Sequence, residues 1–204
     1  MSETALTRPP TPIPQPPSPN PRGRLPHWEA ERGTYFVTFR LADSLPQPVR
    51  ESFEFERQDI IKTAQQQGRE LTSAERKRLD QLFSERIDQH LDRGAGACHL
   101  ARPEVADLVA RALQHFDGKR YRLEAWCVMP NHVHAVFTTF PGHFLDKILH
   151  SWKSFTANQA NRILGLTSPF WQREYYDRLV RNGTERNRFI RYVVDNPVRA
   201  NLRN

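Results

Sequence analysis

The chain has 204 residues, a formal net charge of +7 and a pI of about 9.8. That length supports one domain with attachments and a core that needs no disulfides. Cys98 and Cys127 stand far apart, which excludes a disulfide scaffold and a cysteine-based zinc module. No apolar run of membrane-spanning length and no signal-peptide core are present, so the expectation is a soluble, cytoplasmic protein without a membrane partner. The basic balance favours an acidic partner, of which nucleic acid is the usual one.

Residues 1–26 carry Pro9, Pro10, Pro12, Pro14, Pro16, Pro17, Pro19, Pro21 and Pro26 with few large apolar side chains, and read as a disordered tail. The remaining chain, 27–204, reads as a single domain. Thr34 to Arg40 is β-branched and aromatic, a first strand. From 49 to 93 the chain is charged and helix-favouring, an insertion of two amphipathic helices. The first carries Val49, Phe53, Ile60 and Ala64. The second starts at a Thr72/Glu75 capping box and carries Leu79, Phe83, Ile87 and Leu91, with Gly94 and Gly96 closing it. Pro103 opens a further helix with Val105, Leu108, Val109, Ala112 and Phe116 on its apolar face. Strands at 121–128 and 132–139 flank a tight link and must pair antiparallel. A helix from about Phe144 to Leu164 carries Ile148, Trp152 and Phe155 inward, and Phe170 to Arg181 contains a fourth strand. Thr184 caps a last helix that stops near Asp195, because Pro197 disallows continuation. The order predicts an α+β fold, an antiparallel sheet with helices packed on it and a helical insertion after the first strand.

The chemistry gathers at two places. Alternate residues of a strand share a face, so His132 and His134 project together, about 7 Å apart along the strand, and both can reach one divalent ion. A pair of half-exposed strand histidines with no special role is the plain alternative. Tyr192 and Asn196 are four apart and share a helix face. Taken alone they read as a packing residue and a helix stop. Brought to the histidines, they make a different set: a metal held by His132, His134 and Asn196 beside a tyrosine nucleophile for a phosphodiester.

These residues, with Trp126 to His134, Phe170 to Arg178 and Tyr192 to Val198, resemble the single-tyrosine HUH transposases, and within them the REP-associated tyrosine transposases. The resemblance spans roughly 27–204. It implies a ferredoxin-like HUH palm and Mg²⁺- or Mn²⁺-dependent cleavage and rejoining of single-stranded or hairpin DNA through a 5′-phosphotyrosine. It also implies a nucleoid-associated protein that is a monomer or a homodimer. Carried over residue by residue, Tyr192 is the nucleophile and His132, His134 and Asn196 are the metal ligands.

The interleaved aromatic and basic residues Trp171, Arg173, Tyr175, Tyr176, Arg178 and Arg181, with Lys153, Arg188 and Arg191, are candidate DNA contacts through base stacking and phosphate pairing. Two other readings compete. One is a hairpin- or REP-binding protein of the same fold that no longer cuts. The other is a metal hydrolase in which Asp177 or Asp195 supplies a carboxylate.

Overall fold

The computed structural model describes residues 19–20, 27–28, 32–82, 87–91 and 93–199. The expected proline-rich tail lies outside the described residues except for β1 (Pro19–Asn20), which pairs antiparallel with β2 (His27–Trp28). Phe83 and the chain after 199 also lie outside them.

Four strands form the main sheet: β3 (Thr34–Arg40), β4 (Tyr121–Val128), β5 (His132–Thr139) and β6 (Tyr176–Leu179). Their order is β4-β5-β3-β6, and every neighbouring pair is antiparallel. β3 and β5 are therefore central and covered on both faces, which is why β3 reads as an almost unbroken apolar run. One face packs on α4 (Pro103–Gln114) and α5 (Leu145–Leu164), where Tyr35, Val37, Phe39, Val133, Ala135 and Phe137 meet Leu108, Leu113, Leu149 and Trp152. Buried Tyr121 accepts from Trp152 Nε1 at 2.9 Å and donates to the Leu113 carbonyl at 2.6 Å, so that core leaves no polar cost at the ring. The opposite face packs on α6 (Gly183–Arg199), with Phe36, Val136 and Met129 against Phe189 and Val193. The expected α+β sheet with helices packed on it is the observed architecture.

The insertion between β3 and α4 comprises α1 (Gln47–Gln66), α2 (Ser73–Gln81) and α3 (Ile87–Leu91). The Thr72/Glu75 capping box forms as expected, both halves present. Leu45, Phe53, Leu82, Ile87 and Leu91 build a separate small core under these helices. Arg57 does not lie on the charged outer side of α1: it is 2% exposed and pairs with Glu54.

Three boundary details differ from expectation. Phe155 is 51% exposed, and its place in the α5 stripe is taken by Thr156. A buried hydroxyl is tolerated there because it donates to the Trp152 carbonyl and accepts from Trp171 Nε1. Asn182, not Thr184, caps α6, its Oδ1 accepting from the Glu185 amide at 2.9 Å. And α6 runs through Pro197 to Arg199. A proline in a final turn removes only one backbone bond, and burial of Val193 and Asn196 against the sheet offsets it.

Phe36 is the seat of α6. It stacks on Phe189 at 4.5 Å between centroids and meets Tyr192 edge-on at 5.8 Å. Phe36→Ala is expected to destabilise the fold by about 3–5 kcal/mol in urea denaturation, the cost of a large core cavity. A loss of less than about 0.5 kcal/mol, as for a surface site, would show that α6 is held by something else.

Candidate active site

Strand alternation divides β5 between the two faces. Val133, Ala135 and Phe137 enter the α4/α5 core, while His132, His134 and Val136 turn toward α6. Because β5 is central, both imidazoles are fully buried, at 0% exposure. The half-exposed alternative is therefore excluded. Their Nε2 atoms face each other at 3.0 Å. The outer nitrogens are held as well: His134 Nδ1 lies 2.8 Å from Thr38 Oγ1, and His132 Nδ1 lies 2.8 Å from Asn131 Oδ1. Burial keeps the pair neutral. Burial pushes His134 down to about 3, and His132 falls well below the ordinary imidazole value, first through burial and then because His134 and the Arg40 guanidinium disfavour a further positive charge.

The last helix brings the other two residues to this face. The Tyr192 ring meets the His134 ring edge-on, 5.3 Å between centroids. Along α6, Phe189 lies over Phe36, whose strand partner is Val136, and Tyr192 lies over His134. The helix thus travels toward the His132 end of β5, and Asn196 follows one turn after Tyr192. Asn196 is 3% exposed, and its Oδ1 is buried without a hydrogen-bond partner among the described residues. Such an orphaned acceptor is costly unless another group satisfies it.

The donor set fits a divalent cation. Two ligands at right angles around an ion with bonds of about 2.0–2.1 Å stand about 3 Å apart, and the two Nε2 atoms stand 3.0 Å apart. The buried amide oxygen of Asn196 supplies a third neutral donor. Among the described residues, no group of three His, Cys, Asp or Glu could hold a metal, so neither Asp177 nor exposed Asp195 completes a carboxylate-ligated hydrolytic site.

The candidate DNA contacts separate into two groups. Trp171 and Tyr176 are buried core residues, and Tyr175 is half-buried. Lys153 is lowered to about 8 by burial and gives its ammonium to the carbonyls of Gln172 and Arg173 at 2.8 and 2.7 Å, fastening that loop to α5. Arg178 pairs with Glu185 at 2.7 Å and anchors the start of α6. Arg173, Arg181, Arg188 and Arg191 are exposed.

Sequence reasoning missed Thr38, Asn131 and Arg40. Thr38 and Arg40 stand opposite His134 and His132 in the β3/β5 register. Arg40 also lines a small cavity with Arg50, Arg57, Glu174 and Tyr175, where α1 meets the 172–175 loop. Thr34–Arg40 was legible as a strand, but the register that aligns it with the histidines was not.

Residues 101–196 match the family described as "Transposase IS200 like", a stretch that contains His132, His134, Tyr192 and Asn196. Two solved structures are similar. One is a REP-associated tyrosine transposase bound to a REP hairpin, 16% identical, covering 87% of this chain and 73% of that one with a TM-score of 0.48. The other, from Deinococcus radiodurans R1, is described as a transposase candidate and is 15% identical, covering 86% of this chain and 96% of that one with a TM-score of 0.41. No curated protein matches.

The buried pair sets a pH dependence. Both histidines titrate lower when folded than when unfolded, so on acidification the unfolded chain takes up protons that the folded chain refuses. Stability is present above about pH 6.5 and is lost as pH falls below it, for His134 down to about 3, at about 1.4 kcal/mol per pH unit for each histidine that stays neutral. In metal-free protein the urea midpoint should fall between about pH 6.5 and 5, before ordinary carboxylates titrate. A His132→Gln/His134→Gln double variant should flatten that slope, and an unchanged slope would contradict the assignment.

Proposed function

We propose that this chain, similar to IS200-like transposases over residues 101–196, is a metal-dependent endonuclease and strand transferase acting on single-stranded, hairpin-forming DNA through a phosphotyrosine intermediate. The observation that carries the reading is the convergence of four residues on one buried face: the facing Nε2 atoms of His132 and His134, the Tyr192 ring against His134, and the unsatisfied Asn196 amide oxygen. A protein that only bound hairpins would have no use for two facing buried imidazoles and, one turn along the helix from Tyr192, a buried acceptor left open.

His132, His134 and Asn196 would hold Mg²⁺ or Mn²⁺, which supplies Lewis-acid stabilisation of charge on the scissile phosphate. Tyr192 is the nucleophile. Its phenolic oxygen gives up its proton to solvent and attacks phosphorus, the new O–P bond forms as the bond to the 3′ oxygen breaks, and the leaving 3′ alkoxide takes up a proton from solvent. The 5′ phosphate stays on Tyr192, and attack by a 3′ hydroxyl reverses the step and joins the strands. An ordinary phenol has a pKa near 10 and attacks poorly at neutral pH, so a neighbouring cationic group that favours phenolate is part of the requirement. Exposed Arg173, Arg181, Arg188 and Arg191 are suited to phosphate contact. Half-buried Tyr175 keeps ring surface for an unpaired base.

Tyr192→Phe removes one oxygen and keeps the ring that packs on Phe36 and His134, so folding and hairpin binding should persist while cleavage and the covalent adduct are lost. The check is a denaturing gel after incubation with Mn²⁺ and labelled hairpin oligonucleotides from the DNA flanking the gene. An adduct formed by Tyr192→Phe, or one lost in Tyr175→Phe instead, would move the nucleophile elsewhere.

Binding should weaken steeply with salt, with a log–log slope of about −0.7 per phosphate neutralised on a single strand. Replacing Arg188 and Arg191 with alanine should reduce that slope by the contacts removed. A flat salt response would count against phosphate contact as the source of affinity.

A further inference from the structure

We infer that Asn131 is a positioning residue, which locks His132 in the tautomer whose Nε2 is a free lone pair and is itself locked by the end of the helical insertion. The tautomer follows from hydrogen-bond chemistry alone; only its use in holding a cation rests on the proposed function.

The side chain of Asn131 is fully buried. One end of its amide lies 3.1 Å from the Leu91 carbonyl and 2.9 Å from the Ala95 carbonyl. Carbonyl oxygens only accept, so that end is the NH₂ and both of its protons are used. The other end is therefore the oxygen, a pure acceptor, 2.8 Å from His132 Nδ1. An acceptor there requires a proton on Nδ1. A neutral imidazole carries one N–H, so His132 Nε2 has none.

His134 is built differently. Its Nδ1 meets the Thr38 hydroxyl, which can donate or accept. In the metal-free protein, His132 Nε2 is an acceptor at 3.0 Å, so His134 places its proton on Nε2 and accepts from Thr38 through Nδ1. When both Nε2 atoms are needed as donors to a cation, His134 changes tautomer and the Thr38 hydroxyl turns to accept. One histidine is fixed and the other can switch without leaving a buried polar group unpaired.

The insertion thereby acquires a task. Leu91 is the last residue of α3, and Ala95 lies in the turn that follows. Their carbonyls hold the amide that holds His132, so the helices between β3 and α4 reach the site through Asn131. The backbone of Asn131 is fastened too, its carbonyl accepting from the Leu41 amide at 2.9 Å.

The test is long-range ¹H–¹⁵N NMR of the histidine rings in metal-free full-length protein, with Mn²⁺ titration of the same samples. His132 should be protonated at Nδ1 and His134 at Nε2. Asn131→Ala should remove the single-tautomer signature of His132 and weaken Mn²⁺ by about 10- to 100-fold. Asn131→Asp keeps an acceptor at His132 and should restore both, at reduced stability because its carboxylate faces two carbonyls. A proton on His132 Nε2 in the wild type overturns the inference even if Asn131→Ala does not fold. So does an Asn131→Ala protein with an unaltered His132 tautomer and unaltered Mn²⁺ affinity. Tautomers as stated without any Mn²⁺ binding support the positioning role and count against the metal-dependent function instead.

Discussion

The structure depends on two imidazoles buried side by side in the middle of a sheet. A neutral histidine taken out of water must satisfy two ring nitrogens, and each one left unpaired costs about 1–3 kcal/mol. Here the outer nitrogens are satisfied by Asn131 and Thr38, and the inner ones face each other across 3.0 Å. Two lone pairs at that separation repel, so a proton or a cation has to stand between them. That requirement explains the surroundings: central strands to exclude water, a hydroxyl able to reverse its role, and an amide unable to.

Helix α6 is held over the pair by contacts at its first turns, which leaves its later turns to carry the site. Phe189 stacks on Phe36, Glu185 binds Arg178 and the Arg181 amide, and Arg186 pairs with Glu124. Glu124 stands where the β4/β5 pairing shifts register, a bulge that frees its side chain to reach Thr138, Arg122 and α6. With rotation and tilt set there, Tyr192 adds its ring to Phe36 and His134, and Asn196 follows one turn later. An unsatisfied Asn196 Oδ1 is tolerable only because that anchor is strong enough to carry its cost.

The sheet, the helix order, the shared face of His132 and His134, and the pairing of Tyr192 with Asn196 were legible in the sequence because each rests on local periodicity. Depth of burial was less so: alternation assigns His132 to a face, but only the strand order β4-β5-β3-β6 makes β5 central. The partners of the histidines were illegible for a related reason. Thr38 lies 96 residues from His134 in sequence, and Asn131 read as a turn residue because its function depends on carbonyls 36 and 40 residues away. Trp171, Tyr176, Lys153 and Arg178 looked like DNA-facing residues by type, yet the fold spends them on its own packing. Aromatic and basic residues serve cores and clamps as readily as nucleic acid.

The family match begins at residue 101 and ends at Asn196, while Thr38, Arg40 and the insertion carbonyls lie before it. The four candidate catalytic residues thus belong to the matched stretch, and much of what orients them does not. β3 contributes a hydroxyl to His134 and a guanidinium beside His132; α3 and the turn after it contribute the carbonyls that set Asn131. The cavity lined by Arg40, Arg50 and Arg57 lies where α1 joins this arrangement, so one arginine is shared between the histidine face and the insertion. A guanidinium, that of Arg40, stands next to the buried pair, while the pair itself stays neutral because burial opposes a charge on either ring. On the proposed function, neutral donors with an arginine beside them suit a site that takes a divalent ion and an anionic strand together, since charging the ligands would repel the first and removing the arginine would weaken the second.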